Sequence, residues 1–252
     1  MGQDGGEDDD KEPTMADDNM VDGNTTDGDM TDINDVGLHP LTGPYAREED
    51  LCELRIAPER MDGVRDSFRR RRRAEGPSEA DGEWARGLIG SWTSRLSGET
   101  DELDSHMVVG LCVGMSETLS MRDAVLLAVM GPVDERRLVE LVAKPRDPHS
   151  VGLVYDTLTT GFEDESAIPD PVRCQRGIDA LAHMVCRVPV PYCVQPLAVL
   201  SFVLWWVGRD EQSLACALHA LSLDEQCMLA AIVAGAIGRE VRPAWRERRD
   251  RE

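Results

Sequence analysis

Five consecutive arginines, Arg69, Arg70, Arg71, Arg72 and Arg73, are the densest cluster of charged chemistry in this chain. Guanidinium groups offer fork-shaped donors to phosphate and carboxylate oxygens. The run could therefore contact an anionic partner such as nucleic acid, a lipid surface or an acidic protein. No aromatic residues interleave as stacking platforms for bases. Cations also complement the dipole at a helix end. The leading expectation is thus a solvated helix end, brushing the acidic N-terminal segment of the same chain, with nucleic-acid contact as the alternative.

Cys174, His183, Cys186 and Cys193 come nearest to a metal-ligand set. His183 and Cys186, three apart, could share a helix face. Zinc ligands usually come from tight two- to four-residue knuckles, which Cys174 and Cys193 do not supply. The chain has no CxxC pair, no HExxH and no glycine-rich phosphate loop. Gly114-Met115-Ser116-Glu117-Thr118 fails as a nucleophile elbow, because its last position is not glycine. Glu163, Asp164 and Glu165 read as a solvated carboxylate cluster, and His219 as a residue of a helix face. These patterns give no catalytic residue, no metal and no cofactor, and the chain reads as non-enzymatic. An accessory domain, or an enzyme whose site is assembled from scattered residues, stays open as an alternative.

These groups need elements to hold them. In 252 residues, 41% are hydrophobic, enough for a core, but only 4% are aromatic, so aliphatic side chains and alanine must fill it. The net charge of −21 is unevenly divided. Residues 1–50 hold 16 acids and two bases, a net of −14, and the other 202 hold 32 acids and 25 bases, a net of −7. A mildly acidic body argues against a broad phosphate-binding face. The seven cysteines (Cys52, Cys112, Cys174, Cys186, Cys193, Cys216 and Cys227) are odd in number and lie mostly in apolar runs. They read as buried thiols in a reducing compartment, the cytoplasm. No basic stretch followed by an apolar one opens the chain, so no signal peptide is expected.

Residues 1–45, rich in Asp, Gly, Asn and Thr, predict a disordered acidic tail. Within it Asp18, Asp22, Gly23, Thr26 and Asp29 echo a calcium loop, but Met20 occupies the third ligand position and no glutamate closes it. Residues 46–82 predict short helices broken at Pro58, the arginine run, and a polar linker over 76–82. Trp84, Leu88, Ile89, Trp92 and Leu96 then recur at helical spacing. Residues 101–115 read either as a short buried strand or as a helix broken by Gly110 and Gly114, with helix favoured because no partner strand is evident elsewhere, and residues 120–123 have capping-box character. Helices follow over 134–143 and about 150–160, the second stopped by Gly161. Pro169-Asp170-Pro171 introduces a longer amphipathic helix.

Residues 196–238 are apolar almost throughout and predict buried back-to-back helices, with Pro196 in a first turn and Gly208 at the turn between two of them. The uncharged run 188–208 invites a membrane reading. Its prolines leave an unbroken helix only over 196–208, roughly 20 Å against the ~30 Å of a bilayer core. It is expected in a protein core, and a charged tail is expected over 246–252.

The hairpin resembles one tetratricopeptide-type unit. Gly208, Ala220, Leu221, Leu223 and Asp224 stand where such units carry similar residues, whereas Glu225 replaces the usual proline and Ser213 a small apolar residue. A single unit cannot bury its own face and must dock on the helices before it. More broadly, residues 112–245 resemble the helical part of an uncharacterised actinobacterial family, domain of unknown function 4192. The resemblance rests on Met121-Arg122-Asp123-Ala124-Val125, Ile168-Pro169-Asp170, Val188-Pro189, Pro196-Leu197-Ala198-Val199-Leu200, Trp206-Val207-Gly208, Leu229-Ala230 and Pro243-Ala244-Trp245. Members of that family carry an α/β segment upstream, for which this chain shows no clear counterpart. The family has no established activity, so the resemblance transfers no catalytic residue. The combined expectation is an all-α helical-hairpin stack over 83–245 with a tetratricopeptide-like C-terminal unit. It would act as a non-enzymatic interaction module with a protein partner and no membrane.

Overall fold

The computed structural model describes residues 55–101 and 103–249, and among these described residues it contains eleven α-helices and no strand. The acidic tail, its calcium-like aspartates, Cys52 and the start of the first helical pattern all lie outside the described residues. The helices are α1 (Pro58–Glu75), α2 (Pro77–Ser97), α3 (Ser105–Glu117), α4 (Leu119–Met130), α5 (Glu135–Ala143) and α6 (Pro148–Glu163). They continue as α7 (Pro171–Arg187), α8 (Val194–Trp206), α9 (Asp210–Leu223), α10 (Met228–Gly238) and α11 (Ala244–Arg249).

Proline and aspartate set where these helices start. Pro58, Pro77, Pro148 and Pro171 each open a helix in its first turn, where a missing N–H removes no bond. Asp104, Asp134, Asp147 and Asp170 are N-caps whose carboxylates accept backbone N–H bonds of 2.8–2.9 Å, each worth about 1 kcal/mol. Gly208, at φ +88°, lets the chain turn sharply from α8 into α9, and Arg209 N–H closes the turn on the Leu204 carbonyl at 2.8 Å.

The core is built around α8. Twelve of its thirteen residues are buried, and α3, α4, α7, α9 and α10 pack around it. Beside it, α4 buries Met121 and the whole stretch from Ala124 to Val129, and touches α2, α3, α5, α6, α7 and α8. Four tryptophans tie separate elements together through indole N–H bonds to backbone carbonyls. Trp84 bonds Gly110, Trp92 bonds Val125, Trp205 bonds Val241 and Trp206 bonds Gly161, at 3.0–3.2 Å. Among the described residues no helix is long and apolar enough to cross a membrane.

Several local expectations give way to tertiary packing. Residues 77–82 form the first turns of α2 rather than a linker. Ala80, Asp81 and Gly82 are buried there, and a Cβ on Gly82 would lie 3.1 Å from that of Ala143. The boundary at 83 therefore falls inside a helix. Gly161 does not stop α6; it lies buried within it, where its carbonyl takes the Trp206 bond. Thr118, not Ser120, is the N-cap of α4, and the Ser120 hydroxyl instead donates to the Val142 carbonyl at 3.2 Å. The stretch expected as a charged tail begins in α11, where Arg246 binds both carboxylate oxygens of Asp210 at 2.8 Å. Gly110 and Gly114 do not break α3. They bring it close to its neighbours, since a Cβ on Gly110 would meet Leu88 at 2.6 Å.

Candidate functional site

The 69–73 arginine run occupies the last turns of α1. That helix lies on the body through Met61 and Phe68, both buried, with Phe68 against Trp84 at a ring separation of 4.5 Å. Polar clips supplement the packing. Tyr192 donates its hydroxyl to Asp62 at 2.7 Å. Arg69 binds Glu117 of α3 with two hydrogen bonds of 2.7 and 2.8 Å, which hold its guanidinium still more firmly protonated. Arg71 pairs with Glu75 one turn along at 3.2 Å.

Arg72 reaches Asp81 of α2 at 2.9 Å and stands over the Phe68 ring. Burial pushes the Asp81 carboxyl above its usual range even with this guanidinium alongside. Desolvation outweighs attraction at that pair, so it fixes geometry more than it adds stability. Arg70 and Arg73 are exposed and make no ion pair among the described residues. Of the five arginines, Arg69, Arg71 and Arg72 pair with carboxylates and Arg70 and Arg73 do not among the described residues. Three serve the fold and two face solvent.

The remaining sequence candidates separate in space or turn inward. Among the described residues no three His, Cys, Asp or Glu side chains come together as a metal site, and Cys174, His183, Cys186 and Cys193 do not converge. His183 is buried on α7. Burial, with Arg187 and Arg95 adding positive charge, pushes it down to about 4, which keeps it neutral. Burial likewise pushes the thiols of Cys174 and Cys216 up to about 12 and that of Cys193 to about 11, and raises Cys112 as well. Thiols held this far from ionisation are poor nucleophiles. Ser116 sits in α3 and donates to the Val113 carbonyl at 2.9 Å. Asp164 is spent on a local turn, accepting from Ser166 N–H and Oγ, and those bonds hold its carboxyl below the usual range. His219 is half-buried on α9, where burial lowers its pKa.

A cleft of about 570 Å³ between α2 and α5 is walled by Glu79, Glu83, Arg86, Glu135, Arg136 and Lys144. Its charges are of both signs and focus on no point. A second cleft of about 450 Å³ lies beside Trp84 and Leu88, with Arg71, Asp104 and His106 at its rim.

One surface was not anticipated. The stretch forming α10 reads as wholly buried, yet only Leu229, Ala230, Val233 and Ala236 are buried. Met228 and Ile232 are 68% and 52% exposed, with Ala231 between them. The cause is position, because among the described residues α10 packs mainly on α8 and α9. No protein-family model, curated protein or solved structure matches this chain.

Proposed function

We propose that this chain is a non-enzymatic helical interaction module whose contact face is the outward side of α10. The exposed apolar stripe of Met228, Ala231 and Ile232 carries this reading. A stripe that crosses an edge helix without a polar residue is completed when another apolar surface covers it. The fitting partner is a protein that presents an apolar helix face. We read the α8–α9 hairpin as the tetratricopeptide-like unit, supported by Gly208 at its turn and by the small residues Ser213, Cys216, Ala217 and Ala220 buried on α9. Kinship of residues 112–245 with domain of unknown function 4192 fits the same proposal. The buried thiols suit a reducing compartment, and we place the module in the cytoplasm.

Nucleic-acid contact along the whole arginine run ranks below this reading, because carboxylates already occupy Arg69, Arg71 and Arg72. Affinity purification of the full-length chain, wild type against Ile232→Asp, tests the proposal. The expected result is a stoichiometric protein captured by the wild type and lost from an equally stable variant. Equal capture by both chains, or none by either, would remove the α10 face from consideration.

A further inference from the structure

The outward side of α10 is ordered along the helix as well as apolar. Glu225, in the turn before the helix, and Arg239, just after its last turn, are both exposed and make no ion pair among the described residues. Between them the stripe runs from the large Met228 through Ala231 and Ile232 to Gly235. The Arg239 guanidinium lies 3.3 Å from the place a Cβ on Gly235 would take, so it reaches back along this same face. A surface that covers the stripe has to present these features in reverse. It needs a base opposite Glu225, a small residue opposite Met228, a large one opposite Gly235 and an acid opposite Arg239. Read backwards, α10 itself presents them. We propose that α10 packs antiparallel on the α10 of a second copy of this chain, across a two-fold axis near Ala231 and Ile232. The inference rests on the α10 contact face proposed above and names its partner.

Register and charge agree on this arrangement. In a two-fold pair, any contact of one residue with another is made twice, with the roles exchanged. A register that sets Met228 against Gly235 also sets Ala231 against Ile232 and brings Glu225 to the helix end that Arg239 closes. A parallel pair fails on both counts. It would set Glu225 beside Glu225, Arg239 beside Arg239 and Met228 against Met228, like charges together at both ends. The interface is small, because 11 residues make a helix of about 17 Å. An ordinary specific interface covers about 800 Å² on each partner, more than one short helix face supplies. Pairing is therefore reversible and forms in roughly the 1–100 μM range. The two exposed ion pairs add little affinity, but they select the direction in which the helices meet.

Sedimentation equilibrium on the full-length chain, from about 1 to 200 μM in about 0.15 M salt, should show a monomer–dimer equilibrium. Ile232→Asp should raise its dissociation constant at least about tenfold. Charge reversals then test the geometry without touching the apolar stripe. Glu225→Arg alone puts two arginines together at each end of the pair, and Arg239→Glu alone puts two acids together. Each should dimerise at least about threefold more weakly than wild type. Mixed in equal amounts, the two chains set arginine opposite glutamate at both ends and should pair with each other at wild-type strength, read by native mass spectrometry. The doubly reversed chain, Glu225→Arg/Arg239→Glu, should dimerise as wild type does. Both positions are exposed, so the reversals decide the matter even if Ile232→Asp unfolds. A wild type that stays monomeric across the range overturns the proposal. So does a folded Ile232→Asp chain that still dimerises, or single reversals that pair as well as wild type. If wild type is monomeric while Ile232→Asp still loses a captured protein of different sequence, self-pairing falls and the α10 contact face stands. Equal capture of such a protein by both chains, with a monomeric wild type, removes both.

Discussion

In α8 twelve of thirteen residues are buried, whereas α10, which has no polar side chain at all, buries four and leaves Met228 and Ile232 68% and 52% exposed. Composition does not separate the two helices. Their neighbours do, because among the described residues five helices pack around α8, whereas α10 packs mainly on α8 and α9. A helix apolar all round is buried only where the stack supplies enough helices to enclose it. At an edge, the same composition leaves a stripe that favours association. The comparison separates residues that hold the fold from residues free to meet a partner, and substitutions in the two places should differ by an order of magnitude in cost.

The largest effect is expected at Leu204, which is fully buried in α8. Leu204→Asp replaces an apolar side chain worth about 2–3 kcal/mol of burial with a carboxylate that has no partner there. The penalty approaches the whole stability of a domain, about 5–15 kcal/mol. Circular dichroism should show loss of the cooperative melt, and a folded variant with an unchanged transition would mean that α8 is not the centre of the stack.

The next effect comes from His183 on α7, which packs against α8. Its folded pKa of about 4 lies below the ordinary value of about 6.5, so the unfolded chain binds the proton first as pH falls. The corresponding stability is present above pH 6.5 and is lost as pH drops towards 4, about 3 kcal/mol in full. Asp81 acts in the opposite direction: its raised carboxyl contributes stability at low pH that is lost as pH rises. Denaturant melts at pH 7 and 4.5 on wild type and His183→Gln isolate the histidine, because Asp81 is common to both. The variant should lose less stability on acidification. Equal losses would mean that His183 takes up its proton without leaving the core. On α10 the outward face has no group that titrates.

Much of this organisation is legible in the residues themselves. The sequence Pro169-Asp170-Pro171 marks a helix start by local chemistry, and the cap forms where that chemistry puts it, whereas α6 begins at Pro148, ahead of the start expected near 150. The spacing from Leu88 to Leu96 marks a core face for the same reason. What local rules miss is set by distant partners. Residues 77–82 look like a linker until Arg72 and Ala143 close over them. Gly161 looks like a helix stop until Trp206 bonds its carbonyl. In the arginine run nothing local distinguishes Arg69 from Arg70, because Glu117 comes from another helix. On α10 no polar residue marks which side faces out, so its exposure follows only from the order in which helices stack.

A smaller effect should separate interior from edge at Gly177, where α7 crosses α4 and α2. A methyl there would come 2.9 and 3.0 Å from the two Cγ atoms of Val129, a fully buried β-branched residue with little freedom to move. Overpacking costs about 1–3 kcal/mol and exceeds the ~1 kcal/mol that alanine gains over glycine in a helix. Gly177→Ala should therefore lower the melting temperature by roughly 2–4 °C. At Gly235 of α10 the nearest atom is the mobile guanidinium end of Arg239, at 3.3 Å. There the same change should be neutral or slightly stabilising, and a drop as large as at Gly177 would place α10 in the interior.

The smallest stability change should come from the most drastic chemistry at the edge. Ile232 keeps half its surface in water, so Ile232→Asp strands no carboxylate in an apolar site. The charge stays solvated, and the loss is limited to a fraction of one side chain's burial, under about 1 kcal/mol. The melting temperature should move by no more than roughly 3 °C while partner capture disappears. If Ile232→Asp instead unfolded the chain as Leu204→Asp does, α10 would be a core helix like α8. Its exposed stripe could then no longer be read as a surface awaiting another protein.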